Sequence, residues 1–371
     1  MRRGRLVAGL VLLSLVGVGG LMAFPWAISP SKAEELAKRF VLDRMSGPNG
    51  GILTNCKVRR LLLFPIFDPA DLLASGVLSE TIGLAMQYAV LADDRPFFDK
   101  QLQFARQKML GPQGLFYWKV SYDGELVAGT SAVIDDLRIV GAALQAAEKW
   151  GDAAYRSFAD DIAGNIWQYE VVGGVLRDFL NWRDYGDPVV ADTLQLSYIE
   201  IPTLRALAKR APEWQPILEQ TGRILLAGRM ASGLFYENYN FAEKRYMGDQ
   251  QNMINQLYCA LFAAELEQGD HPFAEWLRNR FAADGVLYAQ YDGSGQPLQF
   301  FESTSVYALA ARYAFRIGDR ALGESLLAKL LEFQNVNPIS PMYGGFSDDE
   351  VYSFDNLEAL LTLRRYNAEY R

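Results

Sequence analysis

Apolar positions spaced three and four residues apart dominate this chain. In Asp249–Gln268 they are Met253, Ile254, Leu257, Leu261, Phe262 and Leu266, the stripe of an amphipathic helix. Gly269-Asp270 breaks the pattern, and His271–Ala283 reads as a second, shorter helix. The same pair recurs as Ser79–Asp93 with Arg95–Leu110, Ser131–Trp150 with Asp152–Trp167, Asp192–Arg210 with Glu213–Met230, and Glu302–Ile317 with Arg320–Phe333. Phe354–Tyr366 has no follower, and Ser31–Met45 supplies the twelfth helix. A glycine followed by an apolar or aromatic run punctuates each unit: Gly51, Gly114, Gly174, Gly233, Gly285 and Gly345, at intervals of 52 to 63 residues. A period of that size carried through the whole chain marks a repeat architecture.

Six helical hairpins with tight turns such as Asp93-Asp94-Arg95-Pro96 predict an all-α fold, an (α/α)6 toroid with an inner and an outer ring. An open solenoid of stacked hairpins satisfies the same pattern. Closure is favoured because Leu357, Leu360, Leu361 and Leu363 need a partner, and the first helix offers Leu36, Phe40 and Val41. Half the residues are apolar and 13% are aromatic, enough to fill such a core.

The chain opens Met1-Arg-Arg-Gly-Arg, followed by an uncharged stretch from Leu6 to about Ser29. Residues 1–29 therefore read as a signal peptide or membrane anchor, and 30–371 as the helical domain. Arginines at the start place that end in the cytoplasm and export the rest, so the expected location is extracytoplasmic. No cysteine follows the apolar run at once, which argues against a lipid anchor. Cys56 and Cys259 are the two cysteines, and their spacing leaves pairing open.

The net charge of −8 argues against nucleic acid and anionic membrane surfaces as partners. Membrane contact is expected only through the N-terminal segment. With a single histidine, His271, histidine-based zinc sites and Ser-His-Asp triads are disfavoured, and neither metal nor cofactor is expected. Acid–base chemistry falls to carboxylates or tyrosines. An acid stands near each first-helix start: Glu80, Asp136, Asp192, Asp249, Glu302 and Asp355. Helix starts favour acids anyway, and Asp192 and Asp355 read as plain caps. Glu80 follows Ser79, which can cap in its place. Asp136 adjoins Asp135 a turn inside its helix. Asp249 precedes the polar Gln250-Gln251-Asn252, at what should be the buried inner layer.

Ser79-Glu-Thr-Ile-Gly-Leu-Ala-Met, with Asp94-Arg95 and Phe98-Asp99 after it, resembles the first catalytic helix of glycoside hydrolase family 8. That family includes endoglucanases of bacterial cellulose synthesis and has the six-hairpin toroid. Thr81 and Leu84 replace its usual glycine and tyrosine. Ser131-Ala-Val-Ile-Asp-Asp resembles a second family segment, in which Asp136 matches one aspartate and Ile134 replaces another that holds the central sugar. Asp135 or Asp136 is then expected to cover that role. The resemblance implies Glu80 as general acid and, by repeat counting, Asp249 as general base in an inverting hydrolysis, with Asp136 bonding sugar hydroxyls or keeping Glu80 protonated. Aromatic platforms for sugar faces are expected from Tyr117, Trp118, Trp182, Tyr236, Tyr239, Tyr288, Tyr291 and Tyr343, with Trp118 and Trp182 foremost, and Glu302 is a further substrate contact. The implied substrate is a bacterial exopolysaccharide, cellulose-like or an amino-sugar β-glycan, and the implied partner a polysaccharide synthase or export complex. Three other readings stay open: a polysaccharide lyase, an unsaturated-uronide hydrolase, and a catalytically silent glycan-binding or scaffold protein.

Overall fold

The computed structural model describes residues 28–61, 64–67, 69–182, 188–267, 271–346 and 350–370. Of the expected leader or anchor, residues 1–27 lie outside that range, as does the Gly269-Asp270 break. Thirteen α-helices are present among the described residues. They are α1 Pro30–Phe40, α2 Pro69–Ser75, α3 Ser79–Leu91, α4 Arg95–Phe104, α5 Val133–Trp150, α6 Ala153–Tyr169, α7 Ile201–Arg210, α8 Trp214–Ala227, α9 Met253–Leu266, α10 Pro272–Asp284, α11 Thr304–Arg316, α12 Arg320–Glu332 and α13 Ser353–Glu369.

The odd-numbered helices α3 to α13 form the inner ring. Each packs on the next, and α13 packs back on α3, which closes the circle. Their faces are buried nearly all round: α5 buries Val133 to Leu144 without a break, as expected of a helix enclosed by others. The even-numbered α4 to α12, with α1, form the outer ring. Closure is also covalently distant and hydrogen-bonded. Strand Asn55–Leu61 pairs antiparallel with Glu350–Tyr352, Thr81 and Ser353 share a hydroxyl–hydroxyl bond of 3.0 Å, and Asn367 donates to Glu34 at 2.7 Å.

Two inner helices start later than the hydrophobic pattern predicts. Thr193–Gln195 pairs with Asn238–Asn240 as a strand, and α7 begins only at Ile201, where Pro202 sits in the first turn and Glu200 accepts from the Thr203 amide at 2.7 Å. Asp192 is therefore an exposed residue ahead of a strand and caps no helix. Likewise Gln250–Asn252 pairs with Gln290–Asp292. The cap of α9 is Asn252, which accepts from the Ile254 amide at 3.0 Å.

The glycine runs share one device. Gly114 and Gly233 have φ of 69° and 89°, in the left-handed region where a side chain is strained. Their turns fold the run back on the end of the preceding outer helix, bridging Leu110 to Phe116 and Arg229 to Phe235. The next inner helix then captures the buried aromatic's backbone. Gln256 accepts from the Phe235 amide at 2.7 Å and donates to its carbonyl at 2.9 Å. Asn356 does the same for Phe346, at 2.9 Å in both directions. Asp136 fills this slot in the second unit, accepting from the Phe116 amide at 3.0 Å. Each such bond is worth about 0.5–1.5 kcal/mol net, and more is lost if one partner is stranded.

Asp136 is fully buried, and its other oxygen has no hydrogen-bond partner. Burial, then the charge of Glu170, push its carboxyl well above the ordinary 3.8. A protonated Asp136 has the donor–acceptor pair of the amides in the sister units. Glu170 is raised to about 8, chiefly by burial.

Two expectations follow. A raised carboxyl stabilises the fold below its ordinary value, and that share is lost as pH climbs through the folded value. Asp136→Asn should therefore keep the denaturation midpoint at low pH and flatten its decline as pH rises above the ordinary 3.8; an unchanged decline would contradict the protonated clamp. Gly83 sits where a Cβ would lie 2.9 Å from Cβ of Arg138. Gly83→Val should cost about 1–3 kcal/mol by forcing α3 from α5, readable by chemical denaturation.

Candidate active site

The N-terminal ends of the inner helices converge on a cavity of about 390 Å³. Its wall is built unit by unit: Glu80 from α3, Asp135 and Arg138 from α5, Asp178 and Tyr198 from the segment before α7, Asn255 and Tyr258 from α9, and Phe354 from α13. Trp118 stands on the rim, 38% exposed, and its carbonyl accepts from the Ser79 amide at 3.1 Å. The aromatic platform and the start of the Glu80 helix are thus tied together.

Arg138 is the centre of the floor. It is 3% exposed, lies 3.4 Å from Asp135 and 4.0 Å from Glu80, and covers the Tyr258 ring at 4.8 Å from its centroid. Tyr258 donates its hydroxyl to Glu358, which pairs with Arg312 at 2.9 Å. This polar column runs down the ring axis. Arg138 and Tyr258 also line a second cavity, of about 350 Å³, at the opposite end of the helices.

Glu80 keeps a third of its side chain open to the cavity. Its pKa is raised to about 8, first by burial and next by the charge of Asp135; Arg138 offsets part of this, and Glu358 and Asp355 add to it. Asp135 is held by the Ser79 hydroxyl at 2.7 Å and by Arg138. At neutral pH the arrangement keeps a proton on Glu80 beside an acceptor already bonded, the condition for a general acid.

Of the residues that the sequence singles out, Glu80, Asp135 and Trp118 meet in this cavity. Others do not. Asp136 turns away into the clamp described above, because adjacent helix positions differ by about 100° and only Asp135 shares a face with Arg138. Asp249 is exposed on the bend before Gln250–Asn252, and the strand there displaces it from the start of α9. The polar side chain that the first turn of α9 presents to the cavity is Asn255. Trp182 packs against Tyr117 with ring centroids 5.0 Å apart and donates to Gln113. Tyr236 stacks on Tyr246 at 5.7 Å, and Tyr239 joins that cluster at 4.9 Å. Glu302 accepts from Tyr307. Tyr291 is fully buried, while Tyr288 and Tyr343 are half-buried outside the cavity wall. Cys259 is a buried free thiol.

Arg138, Asp178, Tyr198 and Asn255 belong to the site without having stood out in the sequence. Arg138 had a signal, a cation three positions after Asp135 that directly precedes the apolar run Ile139–Leu144. Asp178 had a weaker one, a charged pair with Arg177 directly behind a glycine run. Among the described residues, no group of three His, Cys, Asp or Glu side chains is placed to hold a metal.

Known proteins match this geometry. The family described as Glycosyl hydrolases family 8 matches residues 65–255. YdaJ of Bacillus subtilis (strain 168) is 30% identical over 292 residues, 78% of this chain and 79% of its own. An endoglucanase of Cellulomonas uda is 31% identical over 174 residues, 43% of this chain and 46% of its own. Among solved structures, a novel alpha-amylase from Clostridium perfringens has a TM-score of 0.80 at 29% identity, covering 90% of this chain and 97% of its own. The chain belongs to glycosyl hydrolases family 8, as a divergent member, and is a glycoside hydrolase.

Proposed function

We propose that this enzyme acts outside the cytoplasm on a bacterial exopolysaccharide, a cellulose-like or amino-sugar β-glycan, with Glu80 as general acid and inversion at the anomeric carbon. The observation that carries the reading is Glu80 itself. It opens an inner helix at the cavity floor, reaches the cavity, and is kept protonated near pH 7 by burial and by Asp135. A protonated carboxyl there can donate to the leaving oxygen as the glycosidic bond breaks. Asp135 holds that proton in place, and Trp118 offers an apolar face on which a sugar ring stacks at the rim.

Likeness to an endoglucanase supports the β-glycan. Likeness to an alpha-amylase over most of the chain favours a second reading, an α-linked glucan. The name of the relative YdaJ carries the word lipoprotein, which supports an extracytoplasmic site of action; the charged start and uncharged stretch of residues 1–29 support a membrane tether or export signal in this chain. Among the described residues no helix is long and apolar enough to cross a membrane. Association with a polysaccharide synthase or export complex would place the enzyme beside its substrate.

The test is hydrolysis of a panel of bacterial exopolysaccharides, cellulose-type and amino-sugar β-glycans and α-glucans, read by reducing ends. Glu80→Gln should lower the rate on the cleaved glycan by about 10²–10⁴-fold, with oligosaccharide binding little changed, and NMR should show the first product with inverted configuration. Undiminished turnover in the variant would return Glu80 to the role of a helix-start acid.

A further inference from the structure

Inversion needs a second carboxylate, separated from the acid by room for a water and the sugar, typically about 6.5–9.5 Å. Among the described residues, three carboxylates line the cavity: Glu80, Asp135 and Asp178. Asp135 stands on the acid's own side. It is bonded by Ser79, the residue before Glu80, and one guanidinium lies within 4.0 Å of both carboxylates. Asp135 thus sits beside the acid, sharing its cation, and not across a sugar from it. Asn255, on α9, is an amide without a basic lone pair, and Asp249 lies off the wall.

Asp178 sits on the neighbouring unit. Its carbonyl accepts from the Val133 amide at 2.9 Å, and its amide donates to the Thr193 carbonyl at 3.0 Å, so its backbone is fixed to the start of α5 and to the next strand. Its side chain is fixed too. Oδ2 accepts from the Thr193 hydroxyl at 2.5 Å, and Oδ1 accepts from the Gln195 amide. Each oxygen keeps a further lone pair. The side chain is 8% exposed, and that exposure opens on the cavity. Tyr198, also on the wall, lies within electrostatic reach of Asp135, Asp178 and Glu80; burial first, then those three charges, keep its hydroxyl protonated. It is a donor able to orient a water or a sugar oxygen.

We infer that Asp178 is the general base of this hydrolase, a role that rests on the inverting reading above. Asp178 takes a proton from a water whose oxygen forms a bond to the anomeric carbon. The glycosidic C–O bond breaks on the opposite face, its electron pair passes to the leaving oxygen, and that oxygen takes the proton of Glu80. The products are an inverted hemiacetal and an alcohol, leaving Asp178 protonated and Glu80 ionised. Exchange with solvent restores both.

The experiment uses the full chain and a glycosyl fluoride of the anomer that the wild type cleaves. Fluoride leaves without protonation, so Glu80→Gln should recover on it relative to the glycan. Asp178→Ala should stay slower by about 10²–10⁴-fold, and sodium azide should restore turnover, yielding a glycosyl azide of inverted configuration. Asp178→Asn, checked for native circular dichroism, should be slow without loss of fold. Full activity in either Asp178 variant overturns the assignment. So does a loss that azide leaves untouched, which would make Asp178 a support of its loop, and so does azide rescue in Asp135→Ala or Asp249→Ala instead. A wild type that retains configuration defeats the inverting reading itself, whatever Asp178 does.

Discussion

A guanidinium buried at the centre of a helical ring must be matched by negative charge, and Arg138 imposes that constraint on everything around it. Breaking a buried ion pair by removing one partner costs about 3–5 kcal/mol. Asp135 and Glu80 answer Arg138 from the cavity side, while the Tyr258 ring and the Glu358–Arg312 pair complete the column toward the other mouth. The approach of α3 to α5 that brings these groups together depends on the missing Cβ of Gly83. The chemistry of the cavity is thus a consequence of how the core is neutralised. Burial first, and then the charge of Asp135 against a single shared cation, leave a proton on Glu80, the more open of the two acids.

The same ring shows how a repeat accommodates a site. Gln256, Asn356 and Asp136 perform one structural task in three units, holding the amide of a buried phenylalanine. The position one residue earlier differs between units: Asn255 and Asp135 line the cavity, while Asp355 accepts from the Ser305 amide at 3.1 Å. In the second unit that position is Asp135, which meets Glu80 and Arg138 in the cavity wall. Neighbouring carboxylates in one helix therefore divide between fold and site by phase alone.

The helical hairpins and their glycine punctuation were legible because the helix stripe and the left-handed turn are local. Glu80 stood out as surplus to capping, but not for the expected reason: Ser79 is the first residue of α3, among the described residues no side chain caps that helix, and the Ser79 hydroxyl donates to Asp135 instead. The short strands were not legible, since three-residue pairings such as Gln250–Asn252 with Gln290–Asp292 are fixed by a partner some forty residues away. That strand is why counting repeats pointed to Asp249, while the wall at that place carries Asn255. Choosing between Asp135 and Asp136 required the helix phase, which Arg138, three positions beyond Asp135, would have supplied. Asp178 lies in the irregular segment after a glycine run, where no periodicity indicates direction.

The dependence of kcat/KM on pH for wild type and Asp135→Asn, on whichever glycan is cleaved, bears most directly on the claim that core neutralisation sets the acid. Glu80 must be protonated to act, so the wild-type rate should fall as pH rises through about 8. Removing the negative charge of Asp135 lowers the proton affinity of Glu80, and the alkaline limb should move to lower pH. An alkaline limb that stays in place would contradict the account, because Glu80 would then owe its proton to burial alone and not to the negative charge of Asp135 beside it.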